Sequence, residues 1–216
     1  HAGHATLVAS ACSASTQALS LAHHWIRSGK VKRCLVGGVE LLCRLTSTGF
    51  SSFQLLAPER CRPFDQERSG ISLSEATAFL CLEGETDHEA YGEILGFGFA
   101  SDASHMTAPH PEGDGCRRAM LKALRDANVG PANLDWIHTH GTGSVQNDSA
   151  EGAAIEAILQ QAEPLIFSTK AAHGHSLGAS GALETVLLLK ATNEGHSHGP
   201  SALAKPPSRI RPPTQT

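Results

Sequence analysis

The sequence predicts an α/β fold, on three observations. Short β-branched runs alternate with amphipathic stretches, glycine-rich turns mark the junctions, and 40% of the 216 residues are hydrophobic, enough to bury a sizeable core. In such folds reactive groups collect at the carboxyl ends of strands, so those ends are where chemistry is expected.

Residues 5–9 read as an apolar strand running into a helix through a turn of small residues, Ala11, Cys12, Ser13, Ala14 and Ser15. The helix carries Ala14, Ala18, Leu21, Ala22, Trp25 and Ile26 and should be capped near Gly29. Residues 31–42, with Gly37 and Gly38, have the character of a buried strand, which makes a strand-helix-strand unit and predicts parallel pairing. Residues 46–56 read as a helix or an irregular segment and 58–70 as a loop, followed by strands at 77–83 and 91–100. Prolines and glycines make 105–115 a loop. Residues 116–128 form an amphipathic helix with Met120, Leu121, Leu124 and Ala127 on one side. The second half repeats the alternation: strand 134–140, helix 149–161, strand 164–168, a glycine-rich bend and helix 181–191. Residues 195–216 are proline-rich and aperiodic, an extended tail.

A net charge of −4 with mixed signs gives no reason to expect nucleic acid or an anionic membrane as partner. No apolar run approaches a membrane span, and no signal peptide or lipidation motif is visible. Cysteines at 12, 34, 43, 61, 81 and 116 form no CxxC pair and no zinc spacing; reduced thiols in a cytoplasmic protein are the simplest reading. The chain begins with His1 rather than Met, as a processed or excised piece, or a chain that has lost its beginning, would.

Cys12 sits where a helix begins. The positive end of the macrodipole and the unpaired N–H groups there favour a thiolate, and small neighbours leave the sulfur approachable. A nucleophile and an inert buried cysteine both fit this local context. Three H-x-H pairs occur, His138/His140, His173/His175 and His196/His198. On a strand that spacing puts both rings on one face, which admits a metal site, but no Cys or carboxylate has matching spacing. A general base or hydrogen-bond donor suits His140 and His175 better, since they flank glycine turns at strand ends.

Taken together, Ala11-Cys12-Ser13, Val36-Gly-Gly-Val-Glu40, Cys61-Arg-Pro-Phe-Asp65, the run Ser101 to Pro109, His140-Gly-Thr-Gly-Ser144 with Asn147, Asp148 and Glu151, and Ser168-Thr-Lys170 through His173-Gly-His175 to Gly181 carry a resemblance. In that order they resemble the elongating β-ketoacyl-ACP synthases, the decarboxylating condensing enzymes of fatty-acid and polyketide assembly. The resemblance implies a thiolase-like layered αβαβα fold with mixed sheets and buried helices. Residues 1–90 would belong to its N-terminal half, 91–194 to its C-terminal half and 195–216 to a tail. It makes Cys12 the acyl-accepting nucleophile, His140 and His175 the histidine pair, Lys170 the accompanying lysine and Glu151 the buried carboxylate of the Lys170 network. Thr142 and Ser144 would contact the phosphopantetheine arm, with Ser144 standing where the family usually has Thr. Asp102 and His105 fall in a loop that would gate entry of the carrier-bound chain, and His173 is not catalytic in this register.

The activity implied is decarboxylative condensation of a Cys-bound acyl group with malonyl carrier protein, with no metal and no cofactor beyond the carrier's own phosphopantetheine. The implied partners are acyl carrier protein and a second ketosynthase-like chain, in a homodimer or heterodimer with 31–42 at the interface. A non-catalytic chain-length subunit and a Cys-His acyl hydrolase are the alternatives, although the first usually lacks the nucleophile. The Ser74–Ala78 run is less glycine-rich than the family's. By resemblance the opening strands and the closing hairpin with its glycine-rich turn would lie outside these residues.

Overall fold

The computed structural model of the chain describes residues 3–84, 87–105 and 108–193. The stretch 195–216, with the pair His196/His198, lies outside the described residues. In chain order the elements are α1 (Ala14–Arg27), β1 (Arg33–Glu40), α2 (Arg44–Ser52), β2 (Ala76–Glu83), α3 (Asp114–Ala127), β3 (Trp136–His138), α4 (Val145–Leu159), β4 (Leu165–Phe167), α5 (Lys170–His173) and α6 (Ser180–Asn193). Single 3-10 turns occur at Pro131–Asn133 and Leu177–Ala179. None of the described helices is long and apolar enough to cross a membrane.

The described residues gather into two compact units. One draws on residues 3–43, 73–84, 87–94 and 175–193, the other on 44–72, 95–105 and 108–174.

In the first unit α1 follows a turn in which Ala11 adopts a left-handed φ of 44°. It ends as its sequence requires: Gly29, at φ 72°, donates its N–H to Ile26 O at 2.9 Å. The buried line of α1 runs through Ser15, Leu19 and Ala22, rotated from the stripe that hydropathy alone suggests. A serine enters that line because its hydroxyl is used: Ser15 Oγ accepts from Ala182 N at 3.0 Å. Two glycines let the segments come this close. A Cβ on Gly38 would stand 2.7 Å from Ala179 Cα and 3.0 Å from Ser15 Cβ, and one on Gly181 would stand 2.1 Å from Thr16 Oγ1. Glu40 closes the same contact, its Oε2 accepting from Gly178 N at 3.0 Å.

β1 pairs with β2 along its whole length, from Arg33 opposite Glu83 to Glu40 opposite Ala76, and the pairing is antiparallel. This corrects the parallel arrangement expected for 31–42. The expectation rested on 5–9 being a strand, and that segment joins no ladder. A run of apolar residues becomes a strand only where a neighbour takes up its backbone groups.

The second unit has the expected parallel pair. β3 and β4 flank α4 and align Trp136 with Leu165, Ile137 with Ile166 and His138 with Phe167. Its core is Phe64, Ile155, Leu159 and Ile166, with Met120, Leu134, Ile137 and Ala162 packed against them. Phe64 comes from the 58–70 loop and adopts φ 60°, an uncommon conformation for a bulky residue. It is held there because its N–H donates to Asp148 Oδ2 at 2.7 Å while its ring is fully buried. The expected strand at 91–100 is extended but unladdered. Its period of two is real: Gly96 and Gly98 face α3 so closely that a Cβ on Gly98 would meet Ala119 O at 2.0 Å. Side-chain contacts with α3 take the place of a sheet partner: Asp126 Oδ2 accepts from Phe97 N at 2.9 Å, and Lys122 Nζ donates to Phe99 O at 2.9 Å.

Candidate active site

Cys12 lies one residue before the N-cap of α1, partly exposed, at the position where helix N–H groups favour a negative sulfur. His175 is buried, with Nε2 3.2 Å from Cys12 Sγ and Nδ1 3.0 Å from Ser180 Oγ. Its backbone is fixed from the β2 side, where Ser74 N donates to His175 O at 3.0 Å. The imidazole is therefore held at main chain and ring, and it presents one nitrogen to the thiol.

In the second unit the turn after β3 is built on two left-handed glycines, Gly141 at φ 43° and Gly143 at φ 84°. His140 leads this turn, and its backbone is gripped on both sides. Glu151, on the second turn of α4, accepts from His140 N at 2.6 Å with Oε1 and from Gly141 N at 2.8 Å with Oε2. Lys170, which has no exposed surface, donates from Nζ to His140 O at 2.6 Å. Burial raises the Glu151 carboxyl to about 7, although its two backbone donors and the Lys170 charge pull the other way. Asp148 fastens the turn from below: it accepts from Gly143 N at 3.2 Å and from Phe64 N, and its pKa is raised by burial.

The structure thus brings Cys12 together with His175, and His140 together with Glu151 and Lys170. Thr142 and Ser144 are buried and bond to one another: Thr142 Oγ1 donates to Ser144 Oγ at 3.1 Å. Ser144 is also the N-cap of α4, accepting from Asn147 N at 3.4 Å, so the hydroxyl already serves the helix. Asp102 and His105 belong to a loop closed by its own hydrogen bonds. Asp102 accepts from His110 N at 2.8 Å, the main reason its pKa lies below the usual carboxylate range, and His105 Nδ1 accepts from Ala108 N at 3.1 Å.

Three contributors lie within the motifs quoted from the sequence but had no role assigned to them there: Ser180, Thr169 and Asp148. Thr169 Oγ1 lies 2.8 Å from His138 Nε2 and 2.7 Å from His173 Nε2. With one proton and two lone pairs, the hydroxyl can donate to one ring and accept from the other, or accept from both. Burial, with the Lys170 charge second, pushes His138 down to about 3 and also lowers His173. The H-x-H spacing was the available signal, but these two histidines serve the interior of the second unit.

A folded-state pKa of about 3 against 6.5 unfolded means that His138 contributes stability above pH 6.5 that is lost as pH falls toward 3. Glu151 has the opposite sign, because its folded value is the higher one: its contribution is full below pH 4.5 and lost as pH rises through about 7. His138→Gln keeps a donor and an acceptor but removes the first of these slopes. In urea unfolding, the advantage of the wild type over His138→Gln should shrink by about 1.4 kcal/mol per pH unit between pH 6 and 4. A gap that stays constant over that range would contradict the assignment.

Fold and site define a class: an α/β protein with a thiol at a helix start and a fixed imidazole beside it in one unit, and a lysine-and-glutamate-braced histidine turn in the other. Comparison with known proteins makes the relationship specific. Residues 1–88 match the model of the beta-ketoacyl synthase N-terminal domain and residues 91–200 that of its C-terminal domain, and the chain belongs to the beta-ketoacyl synthase family. It is 36% identical over 195 residues to 3-oxoacyl-[acyl-carrier-protein] synthase 2 of Rhizobium meliloti (strain 1021), covering 83% of this chain and 46% of the relative. Among solved structures it is similar to the ketosynthase ApeO of Xenorhabdus doucetiae, determined in complex with its chain length factor ApeC. The TM-score is 0.83 at 40% identity, over 90% of this chain and 47% of the other. The ishigamide ketosynthase/chain length factor gives a TM-score of 0.83 at 37% identity, over 88% of this chain and 48% of the other. The fold is accordingly thiolase-like α/β, and the chain spans about half the length of the curated relatives it matches.

Proposed function

We propose that this chain carries the acyl-transfer and decarboxylation residues of a β-ketoacyl-ACP synthase. The observation that supports it most is the 3.2 Å approach of His175 Nε2 to Cys12 Sγ at the head of α1. In this reading the Cys12 thiolate attacks the thioester carbonyl of an acyl carrier protein. The phosphopantetheine sulfur leaves and takes up a proton, and the acyl group stays on Cys12. Malonyl carrier protein enters next. His140 and His175, both neutral, donate to its thioester carbonyl oxygen while the bond to the carboxylate carbon breaks and carbon dioxide departs. The enolate carbon attacks the acyl-Cys12 carbonyl, the carbon–sulfur bond breaks, and a carrier-bound β-keto chain two carbons longer leaves with the Cys12 thiolate restored.

Lys170 and Glu151 would hold the His140 turn in register, Thr142 and Ser144 would flank the phosphopantetheine arm, and the Asp102–His105 loop would gate it. Cys12 comes from the 1–90 half and the histidines and Lys170 from the 91–194 half. No resident metal or cofactor takes part. The partners are acyl carrier protein and a second ketosynthase-like chain, either a copy of this one or a chain length factor of the kind solved with ApeO. Six free cysteines suit a cytoplasmic protein.

Intact mass after incubation with an acyl carrier protein tests this. A stable adduct of the acyl mass is expected, absent in Cys12→Ala. No adduct on the folded wild type would favour a non-catalytic subunit, and turnover to free acid a hydrolase.

A further inference from the structure

The proposed chemistry needs His175 to donate from Nε2. An imidazole offers two neutral forms, so something must choose between them. On the Nδ1 side stands Ser180 Oγ at 3.0 Å, and behind it Ser176 Oγ at 3.3 Å from Ser180 Oγ. All three side chains are almost wholly buried: His175 is 1% exposed, Ser176 0% and Ser180 2%. Bulk water is excluded from this file.

We propose that Ser180 is a positioning residue for His175: its hydroxyl donates to Nδ1 and holds the imidazole as the Nε2–H form, the one that can donate toward Cys12 and its thioester partners. The inference rests on the condensing-enzyme reading and adds to it a residue that sets the protonated nitrogen.

Two proton arrangements run consistently along the file, one for each imidazole tautomer. In one, Ser176 O–H donates to Ser180 Oγ, Ser180 O–H donates to Nδ1, and Nε2–H faces sulfur. In the other every arrow reverses: Nδ1–H donates to Ser180 Oγ, Ser180 O–H to Ser176 Oγ, and the Nε2 lone pair faces sulfur. Two features select the first. Ser180 opens α6, a helix of 14 residues, and the positive end of its dipole favours a lone pair over an N–H on the nitrogen turned toward it. Cys12 lies at the start of α1, also 14 residues, where the sulfur gains negative character and repels a lone pair. Acylation sharpens the choice, since a thioester sulfur carries no proton to give to Nε2.

The test labels the full chain with 15N-histidine and assigns the His175 resonances by their loss in His175→Asn. Wild type should show a protonated Nε2 and an unprotonated Nδ1. In Ser180→Ala, with folding checked by circular dichroism, the two forms should mix. Malonyl carrier protein decarboxylation should fall by about tenfold or more while Cys12 acylation falls less, and Ser180→Cys, which keeps a weak donor, should recover part of the rate. A protonated Nδ1 in the wild type overturns the proposal, as does a folded Ser180→Ala that keeps both tautomer and rate. Should Ser180→Ala fail to fold, the wild-type spectrum decides alone. A wild type that holds the Nε2–H form but shows no decarboxylation would count against the condensing-enzyme reading and leave the Ser180 assignment standing.

Discussion

His175→Ala should lower malonyl carrier protein decarboxylation by about two to three powers of ten, the usual consequence of removing one donor to a developing oxyanion. Acylation of Cys12 should survive, because the sulfur keeps its place at the start of α1 and the helix end still favours the thiolate. The two half-reactions can be read separately, release of carbon dioxide from malonyl carrier protein and intact mass of the acyl-enzyme. Retained condensation in a folded His175→Ala protein would refute the role given to this residue. Loss of both half-reactions together would mean that the imidazole is needed to make the nucleophile rather than to stabilise the enolate.

Lys170→Met should destabilise the fold by about 3 kcal/mol or more at pH 8.5, since it removes the cation from a site where a buried carboxylate remains. Lys170 has no exposed surface, and its Nζ bonds His140 O at 2.6 Å, so the carbonyl also loses its donor. The loss should be smaller at pH 5.5. Glu151, with a folded value near 7, is protonated at that pH and no longer needs a counter-charge. Without Lys170 the Glu151 value should climb further above its unfolded 4.5, so its unfavourable ionisation persists to higher pH. Urea unfolding at the two pH values measures this. Equal losses at both would show that packing of the lysine stem, not its charge, is what matters.

Much of this was legible in the residues. The helix after Cys12, its glycine cap, the 134–140 strand with its histidine turn and the parallel partner at 164–168 could be read from periodicity and turn chemistry. What could not be read were features set by neighbours. Hydropathy does not reveal that residues 91–100 alternate against a helix, because a Gly96-and-Gly98 face looks the same toward a helix as toward a strand. Phe64 sits in a segment with every mark of a loop, yet its ring is buried in the second unit's core. Its burial depends on Asp148, 84 positions later, accepting from its N–H. Among site residues, the nucleophile and the two histidines stood out because reactive side chains at strand ends are uncommon. Ser180 and Thr169 did not, since a hydroxyl has no signature until an imidazole is placed beside it.

The spacing between sulfur and imidazole is created by what has been left out. Gly38 and Gly181 carry no side chain where α6 and its preceding turn meet α1, and a methyl group at either would lodge against atoms 2.1 to 2.7 Å away. Breeding this scaffold for new acyl chains should therefore treat both positions as fixed. Diversity introduced there would force α1 and the turn before α6 apart, and with them the reacting pair, before it altered which chain is accepted.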